Sequence, residues 1–384
     1  MSIFRNRKAF EVLRGVKTHL EVATNALRSK TSKQARKQLA IKDGEIAALR
    51  RELVRARGDG RLLGPAGVSA PVFFILGYQR SGTTWLMLML NAHPEILCKG
   101  EGRFFGGDWR QEGLKLRDVQ RPPSSLYNAM LDAEYLKLWI ERSVWSRSAD
   151  ADEHLINLTR MAIDYFLEGE LLKTRKKMVG DKSPLLTSET VRDVGEIYPE
   201  AKVIHIIRDG RDAAVSAVHH TWNFGKPQKS NQASAQREIY RKNPHQLLET
   251  GESIFAENHI RKLAKDWGAR VSRAIEDGPA LLGTNYCEVR YEDLVKKSEE
   301  EVRRLLVFLG AEANEKTVRQ CVSSASFKRL SGGRERGEEE SSSFFRKGLV
   351  GDWKNVFTEQ DKLVFKEEAG ELLAKLGYEK NDTW

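Results

Sequence analysis

Residues 72–85 read VFFILGYQRSGTTW, and this stretch decides the fold. Its first six residues form a continuous apolar run that ends in a glycine, which is typical of a buried parallel strand. A loop bounded by Gly77 and Gly82 follows, and a helix is predicted from about Thr83 to Ala92. A strand, a glycine-bounded loop and a helix in this order aim backbone N–H groups at an anion. The stretch therefore predicts a phosphate-binding loop.

This loop differs from that of nucleoside triphosphatases at one decisive position. Gly77 and Gly82 have the spacing of G-x-x-x-x-G-K-[ST], but Thr83 stands where that motif has its lysine. The cation of the loop is instead Arg80. The missing lysine argues against an ATP-dependent kinase. That class stays open as an alternative, together with a non-catalytic nucleotide-binding scaffold.

Strands alternate with helices along the rest of the chain. Further strands are predicted at 177–180, 202–207 and 285–291, and further helices at 152–174, 257–276, 298–309, 313–323 and 359–376, with another helix starting near Arg211. Such alternation favours a mainly parallel sheet with helices on both faces. We predict an α/β, P-loop-like three-layer domain over residues 71–384.

The charge distribution separates the N-terminal segment from this domain. The chain has 384 residues and a net charge of +10, and residues 1–57 hold 15 Lys and Arg against 5 Asp and Glu. The whole positive surplus therefore lies in residues 1–57, and the remaining chain is formally neutral. A neutral domain argues against a nucleic-acid partner, which would require a basic face.

Residues 1–57 are predicted to form a basic helical or coiled-coil-like arm. Two short runs have apolar residues three and four positions apart, namely Leu13, Val16, Leu20, Ala23 and Leu27, and then Ile46, Leu49, Leu53 and Ala56. Residues 58–70 are rich in glycine and read as a linker. Three roles stay open for the arm: a solvated helix, a homo-oligomerisation coil, or an amphipathic helix on an anionic membrane.

Cysteine usage and hydropathy indicate the compartment. Cys98, Cys287 and Cys321 form no CxxC or Cys/His cluster, which argues against disulfides or structural zinc. No apolar segment follows the basic start, and the longest uncharged stretch is interrupted by Gly and Pro. We predict a cytoplasmic protein, with peripheral membrane attachment through the arm as an option.

Two further segments carry cations at glycine-bounded or strand-end positions. Residues 206–216 read IIRDGRDAAVS and place Arg208 at the end of a predicted strand. Residues 345–355 read FRKGLVGDWKN and carry two adjacent cations. Together with QRSGTTWL, these segments resemble the motifs of sulfotransferases that use 3′-phosphoadenosine-5′-phosphosulfate. The resemblance covers roughly residues 71–378.

The resemblance implies a binding residue set for that co-substrate. The 5′-phosphosulfate is expected at Arg80, Ser81, Gly82, Thr83 and Thr84; the 3′-phosphate at Arg208, Ser216, Arg346, Lys347 and Gly348; and the adenine near Trp85, Tyr291 and Phe327. Charge-assisted hydrogen bonds from such cations suit both anionic ends of the nucleotide.

The same resemblance points to particular catalytic residues. The familiar cytosolic enzymes have a Lys-x-His segment, but residues 180–184 read GDKSP, with Pro184 at the histidine position. The protein-tyrosine sulfotransferase branch is more similar, because it combines an arginine in the loop with a glutamate base. It implies Glu101 as general base and Arg80 and Lys182 as stabilising cations, with Glu95 as the competing carboxylate.

The chemistry is expected to need no metal ion. His219 and His220 are expected to contact structure or acceptor rather than act as base. The acceptor is expected to be a small molecule, lipid, glycan or peptide, because a shared catalytic core does not transfer acceptor identity. We expect the acceptor pocket to be formed by residues 104–175 and 222–280.

Overall fold

Five strands form one parallel sheet. They are β1 (Val72–Gly77), β2 (Ile96–Gly100), β3 (Met178–Pro184), β4 (Lys202–Ile207) and β5 (Tyr286–Arg290). Their order is β2-β3-β1-β4-β5, and every neighbouring pair runs parallel. The computed structural model describes residues 70–105, 134–144, 151–185, 187, 189–224, 238, 240, 251–255, 258–340 and 342–380. The predicted arm and residues 58–69 of the linker lie outside these ranges, as do parts of both expected acceptor segments.

Helices connect and cover the strands. They are α1 (Thr83–Asn91), α2 (Glu134–Arg142), α3 (Ala151–Leu171), α4 (Thr190–Ile197), α5 (Gly210–Phe224), α6 (His259–Leu282), α7 (Tyr291–Lys296), α8 (Ser298–Leu309), α9 (Glu315–Ser324), α10 (Phe327–Leu330) and α11 (Glu359–Lys375). Short 3-10 turns lie at Gly283–Asn285 and Asp352–Asn355. The predicted α/β architecture with a mainly parallel sheet is confirmed.

The core lies on both faces of β1. Phe74 and Leu76 pack into a cluster on one face, shared with α3 and α4, while Phe73 and Ile75 pack into a cluster with α1 and α8 on the other. All four side chains are at most 1% exposed. A strand that is buried on both faces has a continuous run of apolar residues, and for this reason the sequence predicted β1.

Strand β2 is the one strand of the described sheet that the sequence did not predict. It is only five residues long, reads ILCKG, and its last two residues are exposed, so neither length nor alternation marks it as a strand. The strand predicted at 177–180 extends to Pro184, because it pairs with β1 on one side and with β2 on the other.

The sheet order fixes the position of the functional site. β1 lies between β3 and β4, so the connections that follow β1 and β4 diverge at this point of the sheet. In open parallel sheets, ligands bind in the crevice at the carboxyl ends of the strands where the order reverses. The loop at 77–82, which leaves β1, lies at that crevice.

Candidate active site

A cavity of about 330 Å³ opens at the carboxyl ends of the strands. It is lined by all the predicted site residues except one: Arg80, Gly82, Thr83, Thr84, Trp85, Glu101, Lys182, Arg208, Ser216, Tyr291, Phe327, Arg346, Lys347 and Gly348. Its size is typical of a site for a small ligand. Residues more than 260 positions apart in sequence therefore meet around one space.

The exception is Ser81, whose predicted contact with the nucleotide stays a prediction. Its side chain is buried, with a relative exposure of 1%, and it does not line the cavity. Its backbone N–H donates to the carbonyl of Tyr78 at 3.1 Å. We assign Ser81 to the internal turn of the loop.

The loop leaves the N-terminus of α1 open. Gly82 has a φ of 94°, and a Cβ there would lie 2.6 Å from Cδ2 of Tyr291, so both backbone and packing require glycine. The first three N–H groups of a helix have no partner within it, and α1 has no side-chain cap at Gly82. Because Thr83 and Thr84 line the cavity, the positive end of α1 is available to an anion.

The side chain of Arg80 contacts Ser216, a residue of helix α5. Its Nε donates to Ser216 Oγ at 3.1 Å, its Nη1 lies 3.4 Å from His220 Nδ1, and its guanidinium lies 4.6 Å from the ring centre of Phe344. Within the described chain it forms no hydrogen bond or ion pair with Glu101 or Lys182. Burial, with Arg208 and Arg346 nearby, lowers the pKa of Arg80 to about 10.

Arg208 is held by two backbone carbonyls and an aromatic ring. Its Nη1 donates to the carbonyl of Arg80 at 3.1 Å and its Nη2 to that of Leu349 at 3.3 Å. The guanidinium lies 4.3 Å from the ring centre of Tyr291. Its Nε is buried without a hydrogen-bond partner among the described residues. An unsatisfied charged donor at a cavity favours an anionic ligand.

The adjacent cations Arg346 and Lys347 are paired, which the sequence did not reveal. Asp352, with a relative exposure of 3%, accepts from Arg346 Nη2 and, at 2.8 Å, from Lys347 Nζ. Glu339 lies 2.7 Å from Arg346 and 3.5 Å from Lys347. Carboxylates therefore hold both cations in position. Arg208, Ser216, Arg346 and Lys347 together form what we term the cation side.

Asp212 joins the two segments of the cation side, and sequence reasoning missed it. Its carboxylate accepts from the backbone N–H groups of Gly351 at 2.7 Å and Trp353 at 3.0 Å. It also lies 3.7 Å from Arg208, one helical turn earlier. The i, i+4 spacing of an arginine and an aspartate was the available signal.

Three predicted aromatic residues cluster beside the cation side. The rings of Trp85 and Tyr291 meet edge to face at 5.6 Å, and Trp85 Nε1 donates to the carbonyl of Ala325 at 2.7 Å. Arg336, which sequence reasoning missed, lies 5.0 Å from the ring of Trp85 and 5.5 Å from that of Phe327. The cluster offers apolar edges and a guanidinium to a planar base.

Glu101 and Lys182 form the carboxylate side, on the other side of β1. Gly100 is paired in register with Lys182, so Glu101 follows β2 directly opposite β3. Lys182 Nζ lies 2.5 Å from Glu101 Oε1, with side chains that are 5% and 53% exposed respectively. A Cβ on Gly100 would lie 2.7 Å from Cε of Lys182. The lysine is therefore confined, while the carboxylate reaches solvent.

Asp181 fixes the turn that carries Glu101. Its Oδ1 accepts from the N–H of Gly102 at 3.0 Å, and its Oδ2 accepts from Ser183 Oγ at 2.5 Å. Burial raises the pKa of Asp181, against the lowering effect of those hydrogen bonds. Glu101 itself has a φ of 52°. Such backbone strain at a non-glycine residue often marks functional sites.

The competing carboxylate, Glu95, lies at the wrong end of β2. It immediately precedes the strand, pairs with Lys177, and its N–H donates to His93 Nδ1 at 3.0 Å. Five residues of strand separate it from Glu101, or about 17 Å. Of the two carboxylates, Glu101 is the one that lines the cavity.

Comparisons with known proteins show the family of the chain. A family model described as "Sulfotransferase family" matches residues 71–315. The chain belongs to the sulfotransferase family. It is similar to Protein-tyrosine sulfotransferase A of Caenorhabditis elegans, at 26% identity over 285 residues, which cover 73% of this chain and 59% of that protein. It is also similar to Sulfotransferase 1A1 of Rattus norvegicus, at 36% identity over 77 residues, or 18% of this chain and 26% of that protein.

The chain spans 59% of the length of the nematode relative and 26% of the rat one. Among solved structures, it is similar to mouse sulfotransferase SULT7A1 complexed with PAP, with a TM-score of 0.41 and 18% identity, covering 80% of this chain and 84% of that chain. The family match ends at residue 315, and Phe327, Arg346 and Lys347, which lie beyond it, line the same cavity.

The two histidines of α5 differ in position. Burial lowers the pKa of His219 to about 2, and its ring packs against Trp222 and Tyr240. His220 lines the cavity, and burial together with Arg80 lowers its pKa. His219 contacts structure, as expected, while His220 contacts Arg80.

Two kinds of feature are absent from the described residues: a membrane-spanning helix and a metal-binding cluster. None of its helices is long and apolar enough to cross a membrane. Within the same residues, no group of three His, Cys, Asp or Glu side chains is placed to hold a metal ion. The predicted cytoplasmic location and metal independence both stay predictions.

Proposed function

We propose that this sulfotransferase-family chain transfers a sulfuryl group from 3′-phosphoadenosine-5′-phosphosulfate to the hydroxyl or amine of an acceptor. One observation carries the proposal: a single cavity is lined by the cation side and by the Glu101–Lys182 pair. The first supplies charge for the phosphates of a donor, and the second supplies a base and a cation for the transfer. The cation side and the Glu101–Lys182 pair lie on opposite sides of β1.

Donor binding follows from the chemistry of each group. The free N–H groups at the start of α1 suit the 5′-phosphosulfate. Arg208, Arg346 and Lys347 suit the 3′-phosphate, with Ser216 as a hydroxyl donor. Trp85, Tyr291 and Phe327 suit the adenine. Arg80, which donates to Ser216, adds positive charge between the two anionic ends.

The transfer requires a base and charge stabilisation at two different atoms. In the proposed step, Glu101 takes the acceptor proton while the acceptor oxygen or nitrogen forms a bond to sulfur. The bond between sulfur and the bridging oxygen breaks in line, and the electron pair leaves with 3′-phosphoadenosine-5′-phosphate. Lys182 and the N–H groups of α1 stabilise the charge that develops.

The accessibility of Glu101 supports its role as the base. Its carboxylate is 53% exposed, so an acceptor can reach it, while Lys182 and the turn held by Asp181 restrict its position. An acceptor that excludes solvent from the Glu101–Lys182 pair would strengthen the interaction between the two charges. The proposed base is therefore held in place before the acceptor binds.

A thermal-shift comparison tests the proposal at the level of the nucleotide. Ligands that bind only the native state raise the apparent stability by mass action. We expect 3′-phosphoadenosine-5′-phosphate to raise the melting temperature far more than AMP at equal concentration. Equal shifts for both nucleotides would contradict the assignment of the cation side, and a larger shift with ATP and magnesium would favour the kinase alternative.

A further inference from the structure

Arg208 lies in a two-residue turn between β4 and α5, and the second residue of this turn is Asp209. Asp209 is buried, and its backbone N–H donates to Glu292 Oε1 at 2.9 Å. A carboxylate therefore holds the backbone directly after Arg208. Neither Asp209 nor Glu292 lines the cavity, so any effect of these two residues on a ligand has to pass through a neighbour.

Arg211 holds the side chain of Asp209. Its Nε donates to Asp209 Oδ1 at 3.0 Å and its Nη2 donates to Oδ2 at 2.8 Å. Arg211 is buried, and its guanidinium lies 3.8 Å from the ring centre of Trp353. A bidentate pair of arginine and carboxylate is geometrically specific. The turn that carries Arg208 is therefore fixed through its side chain as well as through its backbone.

Two residues that follow α11 reach both of these holding groups. The hydroxyl of Tyr378 donates to Glu292 Oε2 at 3.0 Å, and Glu379 forms an ion pair with Arg211. The ring of Tyr378 also lies 5.3 Å from the guanidinium of Arg290, the residue before α7. We term Tyr378 and Glu379 the latch. The latch contacts the turn only through residues that themselves hold it.

Glu292 also connects the latch to an aromatic residue of the cavity. It directly follows Tyr291, whose ring lies 4.3 Å from the guanidinium of Arg208. A Cβ on Gly82 would lie 2.6 Å from the same ring. Burial raises the pKa of Glu292, whereas the N–H of Asp209 and the charge of Arg208 lower it. Glu292 therefore acts on the backbone beside Arg208 and adjoins the ring that packs against it.

The position of this turn matters for anion binding. A long side chain such as that of Arg208 loses conformational freedom when it is ordered. Fixing its backbone in advance reduces the ordering that remains when a ligand arrives. Hydrogen bonds weaken steeply as their geometry departs from the optimum. A turn that shifts would therefore weaken the contacts of Arg208 with a phosphate.

We propose that the latch positions Arg208 for the 3′-phosphate of the nucleotide. Tyr378 acts through Glu292, and Glu379 acts through Arg211. This inference rests on the proposed function, because it takes Arg208 as a partner of the 3′-phosphate. The latch residues are positioning residues, since they line no part of the cavity. AMP lacks the 3′-phosphate, so its affinity should not depend on the latch.

Calorimetric binding of 3′-phosphoadenosine-5′-phosphate and of AMP to the full chain tests this proposal. Tyr378→Phe keeps the ring and removes only the hydroxyl that reaches Glu292. We expect the affinity for 3′-phosphoadenosine-5′-phosphate to fall about three- to tenfold, because a hydrogen bond to a charged group is lost behind Arg208. The affinity for AMP should stay that of the wild type.

Tyr198→Phe is the matched control. The hydroxyl of Tyr198 also donates to a carboxylate, Asp164 Oδ1, at 2.7 Å, and it joins the end of α4 to α3. Tyr198 does not line the cavity. Both variants should lower the melting temperature, because each loses a comparable hydrogen bond. We expect the ratio of the two nucleotide affinities to change in Tyr378→Phe alone.

Two changes at Glu292 test the route from the latch to Arg208. Glu292→Gln keeps an oxygen that accepts from the N–H of Asp209, whereas Glu292→Ala leaves this N–H without its acceptor. The affinity for 3′-phosphoadenosine-5′-phosphate should fall at least about tenfold in Glu292→Ala and less in Glu292→Gln. The affinity for AMP should stay constant in both variants.

Three results would overturn the proposal. An unchanged ratio of affinities in Tyr378→Phe and Glu292→Ala, in a chain whose wild type prefers the 3′-phosphorylated nucleotide, would remove the latch and leave the proposed function intact. Equal losses for both nucleotides would assign Tyr378 and Glu292 to the stability of the domain. Equal affinities in the wild type would overturn the proposed function and this inference with it.

Discussion

The two sides of the cavity are built in opposite ways. On the cation side, Arg208 and Arg346 are held by buried carboxylates, of which Asp212 and Asp352 are 1% and 3% exposed. On the carboxylate side, Glu101 makes one ion pair and keeps 53% of its side chain exposed. The cations are cross-linked to several segments, whereas the carboxylate depends on a single strained turn.

This difference matches what each side is proposed to do. A tight anion site benefits from charges fixed in advance, because little ordering remains to be done when the ligand binds. A base must meet a second substrate that arrives from solvent, so it has to stay accessible. Substitutions on the two sides should therefore separate binding from turnover.

The largest effect is expected from Glu101→Gln. This change keeps the shape of the side chain and removes its basicity, and loss of a general base typically costs about 10²–10⁴-fold in rate. We expect turnover to fall by that order while the affinity for 3′-phosphoadenosine-5′-phosphate stays nearly constant. Steady-state sulfation rates and calorimetric nucleotide binding measure the two quantities.

Glu95→Gln is the matched control for this experiment. Glu95 directly follows His93 and Pro94 in the sequence and, like Glu101, is a carboxylate. It pairs with Lys177 at the amino end of β2. Turnover should stay near that of the wild type. A collapse in Glu95→Gln, with normal rates in Glu101→Gln, would reverse our assignment of the base.

The next largest effect is expected from Arg208→Ala. Hydrogen bonds to charged groups contribute about 1.5–3 kcal/mol each, so affinity for 3′-phosphoadenosine-5′-phosphate should fall at least tenfold. AMP lacks the 3′-phosphate, and its affinity should change much less. An equal loss for both nucleotides would indicate general damage to the cavity instead of a lost phosphate contact.

A smaller effect is expected on the pH dependence of the unfolding free energy, because two histidines are buried. Burial lowers the pKa of His219 to about 2 and that of His205 to about 3, whereas an unfolded histidine titrates near pH 6.5. The unfolded state therefore takes up protons first as the pH falls. Each histidine should cost up to about 1.4 kcal/mol of unfolding free energy per pH unit below about pH 6.5.

Urea denaturation between about pH 7 and pH 5 measures this slope. His219→Leu should reduce it, because one of the two buried histidines no longer titrates on unfolding. An unchanged slope in this variant would mean that His219 does not stay neutral in the folded protein.

The smallest effect is expected from a metal chelator. In the proposed function, the cations Arg80, Lys182 and Arg208 supply the positive charge that a metal would otherwise provide to the donor. Sulfuryl transfer should continue at the same rate in the presence of EDTA. Loss of activity that magnesium restores would contradict this prediction and weaken the distinction between the two sides.

Much of the site could be predicted from the sequence because its motifs are local. A buried strand followed by a glycine-bounded loop has a characteristic pattern within about ten residues, and Thr83 and Thr84 of this pattern line the cavity. Arg208 was readable in the same way, as a cation at the end of an apolar strand. Pattern alone does not distinguish a loop residue that lines the cavity, such as Thr83, from one whose N–H closes the turn, such as Ser81.

The sequence by itself determined the fold class, the position of the glycine-bounded loop and 14 of the 22 residues that line the cavity. Only the tertiary structure placed Glu101 at the cavity, paired Arg346 and Lys347 with carboxylates, and turned Arg80 toward Ser216. The physical reason is the difference between contacts that are local in the sequence and contacts between distant segments. Spacing along the chain sets local elements, but the end of β2 that meets the cavity depends on how β2 pairs with β3, a contact between segments about 80 residues apart that no local pattern specifies.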